Sequence, residues 1–357
     1  MVEKNAIETR KEAEALKSAL QNITNLAYPH EWKTEWLSLP LETDEGRLPY
    51  DFQIICSDLP AIKDGKDWWP PTSPDPKLWI RWEPNSGAGF WIRPRQYDPL
   101  LRDRLILLDP REIVETEVVS SINRQALVDA CYFSAMSGRM VWHNPAKGGA
   151  GSPKSAHFQA MNLYWSDNDT QKFTFPCCNY EYDDTDWSLT TNVNAHLLKK
   201  GVNKNQYPIP GLVVWGPIRS VVERVWEVVW KYDEARACNV IIQPGDITVY
   251  KDMTRVFIFP RCRDVPRYWV TEEMLTKDEM RLMKNNREGE WAKWPFAGVE
   301  TGLLTQVEWG PLFNEIILEK GKWGQTLLRL LLELTLDEFE QDWIDFADIV
   351  RRSSIDK

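Results

Sequence analysis

Apolar residues recur at the spacing of an amphipathic helix in several parts of the chain. One such stretch lies near the N-terminus, a second spans Glu112–Ala135, and a third includes Val222–Val229. The first and third faces are defined by Ala13, Leu16, Leu20 and Ile23, and by Val222, Val225, Trp226 and Val229. Near the C-terminus, Thr335 and Glu338 form a capping box, which predicts that a last helix begins there.

Shorter runs of apolar, β-branched and aromatic residues between turn residues predict strands. The predicted strands are Phe52–Cys56, Leu78–Trp82, Arg104–Leu108, Arg139–Asn144, Ser155–Trp165, Gly211–Trp215, Asn239–Gln243, Ile247–Tyr250 and Arg255–Pro260. Because strands outnumber parallel crossover units, we predict an α+β fold with antiparallel sheets and packed helices. The order strand, helix, strand, strand occurs twice. We therefore expect two pseudo-repeated halves of one compact body, residues 1–205 and residues 206–357, with the closing helices in the second.

Composition and charge narrow the class of protein. The 357 residues are 43% hydrophobic and 27% charged, which excludes a disordered, coiled-coil or collagen-like chain. No apolar run approaches the roughly 18–20 residues that cross a bilayer, so we expect no membrane partner. Val2–Ala19 lacks the apolar centre of a secretory signal, so we expect a cytoplasmic protein. The 43 basic and 53 acidic residues give a net charge of −10, which argues against nucleic acid as a partner. Six cysteines without a C-x-x-C spacing and four histidines predict no metal site, and we expect no cofactor.

The residue types suited to phosphate chemistry concentrate in the loop after the strand Arg139–Asn144. Glycines let backbone N–H groups approach a ligand closely, and N–H groups together with lysine are what phosphate oxygens need. The candidate phosphate-binding or nucleotide-binding residues are Asn144, Lys147, Gly149, Gly151, Ser152, Lys154 and Ser155. A glycine-rich turn without a ligand is the alternative interpretation of the same pattern.

The strand that follows this loop carries His157 and Gln159. Side chains alternate along a strand, so these two residues share one face while Phe158 lies on the other. An unprotonated imidazole nitrogen can attack phosphorus and hold a nucleotidyl group covalently. The residues alone leave two interpretations open: a nucleophile beside a phosphate loop, or a hydrogen-bonded histidine half-buried in a sheet.

Asn144, Ser152 and the sequence His157-Phe158-Gln159 resemble, in order and spacing, the nucleotidyl-transfer motif of the transferase branch of the histidine-triad superfamily. That branch includes galactose-1-phosphate uridylyltransferase, diadenosine tetraphosphate phosphorylase and GDP-L-galactose phosphorylase. Its motif is an Asn, a Gly/Ser loop and then His-x-His-x-Gln, in which the second histidine attacks the α-phosphorus. His157 and Gln159 match the last two positions, and Ser155 stands where the first histidine is expected.

The resemblance continues into the second half, toward the GDP-hexose phosphorylases. The segments that carry it are Tyr207–Val213, Asn239-Val240, Arg255–Pro260, Glu300–Gly302 and Leu336–Phe339. The resemblance implies a histidine-triad-like fold and a nucleotidyltransferase or nucleotide phosphorylase. Such an enzyme would cleave a nucleoside diphosphate sugar or a dinucleoside polyphosphate through a nucleotidyl-histidine at His157, with phosphate or a sugar phosphate as the acceptor and Gln159 supporting the site.

Several alternatives stay open. His143 could reach the site from the end of its strand, and Arg255 could reach a phosphate from the second half. A local basic run that could meet a phosphorylated sugar consists of Arg93, Arg95, Arg102 and Arg104. For function, the alternatives are a non-catalytic nucleotide-binding or scaffold protein and a hydrolase that uses water as the acceptor. A homodimer is an open alternative to a monomer.

Overall fold

The structure is a computed structural model of the chain. It describes residues 2–27, 34–43, 46–57, 79–84, 89–94, 105–109, 122–144, 157–162, 175–179, 193–198, 207, 211–233, 238–245, 253–260, 277, 304–308 and 318–325. The predicted strand Ile247–Tyr250 and the predicted C-terminal helix lie outside these residues. No helix in the described part of the chain combines the length and the apolar character needed to span a membrane.

The long helices are α1 (Val2–Ala27), α2 (Arg124–Ser137) and α3 (Ile218–Asp233), and shorter helical segments are a 3₁₀ helix at Pro176–Asn179 and residues 320–325. The predicted apolar face of α1 is buried. The prediction of one continuous helix from Glu112 is wrong at Ile122 and Asn123, because Asn123 is extended and caps α2 instead. Its side chain accepts a hydrogen bond from the backbone N–H of Ala126 at 2.8 Å, which satisfies a donor of the first turn.

The strands form two sheets. Their bounds are β1 (Thr34–Thr43), β2 (Gly46–Ser57), β3 (Ile80–Trp82), β4 (Phe90–Pro94), β5 (Leu105–Leu108), β6 (Arg139–His143), β7 (His157–Asn162), β8 (Asn194–Leu198), β9 (Gly211–Pro217), β10 (Cys238–Pro244), β11 (Met253–Pro260) and β12 (Leu304–Glu308). The small sheet has the order β1-β2-β12 and the large sheet the order β3-β4-β5-β7-β6-β10-β11-β9-β8. Every described pair in the large sheet is antiparallel, whereas β12 runs parallel to β2. The predicted α+β class with antiparallel sheet is confirmed.

The large sheet buries one face under the helices. α2 packs on β6, β10 and β11, α3 packs on β9, β10 and β11, and α1 packs on α2 and on the β3–β4 hairpin. Side chains on this face are apolar, for example Leu107, Phe158, Val141, Ile242 and Val256, and they form one core with the helices. Burying each such large side chain contributes about 1.5–3 kcal/mol, so this face holds the fold together. The opposite face, which these three helices leave uncovered and which we call the helix-free face, carries His157, Gln159 and Arg255.

The large sheet is built twice from the same unit. Each unit reads strand, strand, helix, strand, strand: β4, β5, α2, β6 and β7, then β8, β9, α3, β10 and β11. In the sheet, β4-β5-β7-β6 is followed by β10-β11-β9-β8, so the second unit is the first one rotated by a pseudo-two-fold axis between β6 and β10. β8 therefore pairs with β9 of the second unit although it precedes residue 206. The division of the chain at residue 205 stays a prediction.

The pseudo-two-fold axis makes specific residues of the two units correspond. Trp142 and Ile241 form the central pair between β6 and β10. Trp142 pairs with Gln159 in the first hairpin, and Ile241 pairs with Phe257 in the second. Gln159 thus corresponds to Phe257, and His157, two residues earlier, corresponds to Arg255.

Candidate active site

The helix-free face of β7 carries His157 and Gln159. Between them, Phe158 is buried in the helix-covered core, so the predicted alternation of faces is confirmed. His157, the first residue of β7, is half-buried and pairs with Leu108 on β5. An imidazole in this position is partly accessible while its backbone is fixed in the sheet.

His143 fixes the backbone of His157 from the opposite face. Its Nδ1 lies 2.9 Å from the carbonyl oxygen of His157, and because a carbonyl only accepts, Nδ1 carries the proton and donates. The His143 ring packs against Phe158 at 5.4 Å between ring centres. Burial lowers the pKa of His143 to about 4, against a smaller opposite effect of its hydrogen bond to His157. His143 therefore faces the helices and does not share the face of His157; its contact with the site is this one hydrogen bond to the main chain.

Gln159 lies between two large side chains of neighbouring strands. It pairs with Ile106 on β5 and with Trp142 on β6, and it is 5% exposed. Its Oε1 atom is buried without a hydrogen-bond partner among the described residues. A buried amide oxygen in this state costs about 1–3 kcal/mol, and Oε1 retains the capacity to accept a hydrogen bond from a donor group of a ligand.

Asn144 directly follows β6, and the register of the β6–β7 hairpin, continued by two residues, places it opposite His157. Asn144 is 8% exposed and accepts a hydrogen bond at Oδ1 from Nδ2 of Asn239 at 2.6 Å. Asn239 lies on β10, in the second unit. The orientation of the Asn144 amide is therefore set by a residue from the other half of the sheet.

Arg255 lies on the same face but away from His157. It pairs with Gln243 on β10 and is three strands from β7, which is about 14 Å at the usual spacing of strands. Its guanidinium donates to the carbonyl oxygen of Cys178 at 3.0 Å and lies 5.0 Å from the centre of the Phe257 ring. The structure therefore does not bring Arg255 and His157 to one phosphate group.

The segment 175–179 covers part of the helix-free face between these two residues. Its Phe175 ring packs on Trp142 at 5.5 Å, and Arg255 binds the carbonyl of Cys178. Burial raises the pKa of the Cys177 thiol, and the neighbouring Cys178 raises it further. Cys177 is thus a protonated thiol of the interior and not an activated nucleophile.

The remaining predicted ligands belong to the loop 145–156, which lies outside the described residues. They are Lys147, Gly149, Gly151, Ser152, Lys154 and Ser155. The loop leaves β6 at Asn144 and returns at His157, so it starts and ends at the two residues that the hairpin register sets opposite each other. Within the described part of the chain, no cluster of three or more His, Cys, Asp or Glu side chains is placed to hold a metal.

Sequence reasoning did not assign Trp142 or Asn239 to the site, although Asn239-Val240 is one of the segments that carry the resemblance. Trp142 was predictable, because it lies two residues before Asn144 on a predicted strand and so shares its face. Nothing in the pattern around Asn239 indicates a contact with a residue 95 positions earlier. That contact depends on how the two units meet, which no local spacing encodes.

Comparison with known proteins gives a distant likeness in fold. Neither a family model nor a curated protein sequence matches the chain. Among solved structures, yeast Ap4A phosphorylase Apa2 is similar: in its complex with AMP the TM-score is 0.49 at 11% identity, over 87% of this chain and 95% of that one. Its structure in complex with Ap4A has a TM-score of 0.48 at 12% identity, over 90% of this chain and 96% of that one. At these values the likeness by itself assigns neither a family nor an activity to this chain.

Proposed function

We propose that the protein is a nucleotidyltransferase or nucleotide phosphorylase that works by two successive displacements at His157. In the first step an imidazole nitrogen of His157 attacks the α-phosphorus of the substrate. The N–P bond forms as the bond from phosphorus to the leaving-group oxygen breaks, and the leaving group carries away that electron pair. In the second step an oxygen of the acceptor attacks the same phosphorus, the N–P bond breaks, and the imidazole is regenerated.

One observation carries this proposal: the β6–β7 hairpin holds Asn144, His157 and Gln159 together at the two ends of the Gly- and Lys-containing loop. Phosphoryl chemistry needs a positioned nucleophile together with donors for the phosphate oxygens. The hydrogen bond from His143 fixes the main chain under His157. Asn144 and Gln159 are buried polar side chains beside His157, and a histidine that only completed a sheet would not need them there.

The other residues have distinct roles in this proposal. The amides of Gln159 and Asn144 hold the substrate beside the nucleophile. The loop N–H groups, Ser152, Lys147 and Lys154 neutralise the phosphate oxygens as charge develops. Local cations of this kind are needed because the net charge of −10 repels an anionic substrate.

The substrate in this proposal is a nucleoside diphosphate sugar or a dinucleoside polyphosphate, and the acceptor is phosphate or a sugar phosphate. These classes come from the sequence resemblance around His157-Phe158-Gln159, together with its second-half segments. The scheme uses side chains and main-chain N–H groups of this chain, and we place the reaction in the cytoplasm.

The test is to trap the intermediate. The protein is mixed with nucleotide donors labelled at the α-phosphorus, without acceptor, and examined for acid-labile, base-stable label. We expect label on the wild-type protein, and loss of label with a fall in turnover of about 10⁴–10⁶-fold in His157→Asn. His196→Asn is the matched control, because His196 is also half-buried on the helix-free face, on the outermost strand β8. Turnover without any label, or label in His157→Asn, contradicts the mechanism.

A non-catalytic nucleotide-binding protein is the second candidate function. The observation that favours it is Ser155, which stands where the resemblance expects a histidine. Saturable binding of nucleotides without label or turnover selects this function. Release of nucleotide in the absence of phosphate and sugar phosphate selects a hydrolase, with water as the acceptor.

A further inference from the structure

Two arginines share the helix-free face with His157 and Gln159. One row of directly paired residues runs across the sheet from Arg81 through Trp91 and Leu108 to His157. A parallel row runs from Arg93 through Ile106 to Gln159. Paired residues of antiparallel strands point to the same face, so both cations face the side on which the candidate nucleophile lies.

Each arginine is held against a tryptophan. The guanidinium of Arg93 lies 5.3 Å from the ring centre of Trp79, and that of Arg81 lies 5.6 Å from the ring centre of Trp91. The two indoles meet edge to face at 6.5 Å. Stacking uses the flat face of a guanidinium while phosphate oxygens bind its N–H edge, so both contacts are compatible.

The hairpin that carries these side chains is fixed to the core. The backbone N–H of Gly89, at the start of β4, donates to the carboxylate of Asp129 on α2 at 2.9 Å, and Asp129 is fully buried. Gly89 has a φ of +65°, and a Cβ atom there would collide with the carbonyl oxygen of Trp82. The β3–β4 hairpin is therefore held in one position relative to β7, as a binding site requires.

The two cations differ in their distance from β7: Arg81 lies on β3, three strands away, and Arg93 lies on β4, two strands away. Arg81 forms an ion pair with Glu83 at 3.0 Å, and its side chain is 26% exposed. Arg93 is half-buried, and its two-strand separation from β7 is about 10 Å at the usual spacing of strands. Arg93 is thus the principal candidate, with Arg81 as its support.

We infer that Arg93, supported by Arg81 and seated on Trp79 and Trp91, forms an anion subsite for a phosphate group that lies beyond the phosphorus attacked by His157. The inference rests on the proposed function for the role of His157. The phosphate group belongs either to the donor, as a distal part of its phosphate chain, or to the acceptor. Both sources share the same chemistry, a phosphate bound by a planar guanidinium.

The first measurement is calorimetric binding of inorganic tripolyphosphate to the full chain. We expect Arg93→Gln to weaken this binding by about tenfold or more, because a charge-assisted contact is lost. Arg93→Lys should recover only part of the loss, since an ammonium lacks the planar fork. Arg47→Gln is the control: Arg47 is an exposed arginine paired with Asp51 on the small sheet, and its loss should leave the affinity unchanged.

Kinetics identify the source of the phosphate. A rise in KM for the donor alone in Arg93→Gln assigns the subsite to the donor, and a rise in KM for the acceptor alone assigns it to the acceptor. If Arg93→Gln does not fold, Arg81→Gln is measured in its place, with a smaller expected loss. Unchanged affinity for tripolyphosphate in the folded variant overturns the inference. Failure of the proposed function is a separate outcome, in which no label forms on His157 while Arg93→Gln still weakens tripolyphosphate binding.

Discussion

Nδ2 of Asn239 donates to Oδ1 of Asn144 at 2.6 Å, and this hydrogen bond joins the two units of the large sheet at the candidate active site. Both side chains are buried, and they lie 95 residues apart in the chain. Because Asn144 receives this bond at its oxygen, its amide orientation beside His157 is fixed from the second unit. The second unit therefore contributes a contact to the candidate site, although His157, the candidate nucleophile, belongs to the first.

Replacing Asn239 by alanine should lower both stability and activity. Asn144 loses a donor in a buried position, which costs about 1–3 kcal/mol in the free energy of unfolding. Nucleotidyl transfer should fall as well, because the Asn144 amide is free to turn. A double-mutant cycle with Asn144→Ala, followed by urea unfolding, measures the coupling, which we expect at about 0.5–1.5 kcal/mol. Additive effects of the two substitutions would contradict a direct interaction.

His143 makes stability depend on pH. Its pKa is lowered to about 4 in the folded protein by burial, against about 6.5 for an unfolded histidine. Between these values the unfolded chain binds the proton more readily, so the stabilising effect is complete above pH 6.5 and is lost as the pH falls toward 4. The gap between the two pKa values corresponds to about 3 kcal/mol.

The measurement is urea unfolding of the wild-type protein and His143→Gln between pH 4 and pH 7. Glutamine does not titrate but still carries an N–H donor for the carbonyl of His157. The stability difference between the two proteins should therefore shrink as the pH falls. A constant difference across this range would show that His143 does not titrate as its burial requires.

Gln159→Met separates stability from activity. Methionine has a similar length and no amide, so it removes the buried oxygen that has no partner among the described residues. We expect the free energy of unfolding to stay equal or to rise by up to about 1–3 kcal/mol, while turnover falls. Denaturant unfolding and steady-state kinetics on the same preparation test both parts. A clear loss of stability would show that the amide serves the folded state itself.

Arg255→Met should affect stability more than chemistry. The buried carbonyl of Cys178 loses its charged donor, which lowers the free energy of unfolding by about 1.5–3 kcal/mol. Turnover should remain within about tenfold of wild type, because Arg255 lies about 14 Å from β7. Urea unfolding and activity assays on Arg255→Met test this expectation. If Arg255 instead bound a phosphate group of the substrate, the main effect of its loss would be a higher KM or a lower kcat, not a lower free energy of unfolding.

The sequence predicts the parts of the site that depend on local periodicity. Alternation along β7 places His157 and Gln159 on one face and Phe158 on the other, and the spacing of Leu16 and Leu20 correctly predicts the buried face of α1. These predictions succeed because strand and helix geometry repeat every 2 and 3.6 residues.

Other features depend on register and on contacts between distant segments. The side of the sheet on which His143 lies follows from the pairing of β6 with β7, and the distance of Arg255 from His157 follows from the strand order. α2 begins after Asn123 because the Asn123 side chain caps it, although the apolar spacing typical of a helix begins earlier in the sequence. Neither strand order nor register is encoded in the spacing of residues within a single element.

The antiparallel pairing of β6 with β10 also determines what would happen to either unit alone. Each of these strands lies in the interior of the large sheet, with partners on both sides. Producing each unit as a separate polypeptide would leave β6 or β10 as an open edge, whose N–H and C=O groups are free to pair with another strand. Because the pseudo-two-fold axis makes these edges alike, an isolated unit would pair most readily with a second copy of itself. The chain thus carries within one polypeptide the interface that two identical subunits would otherwise share.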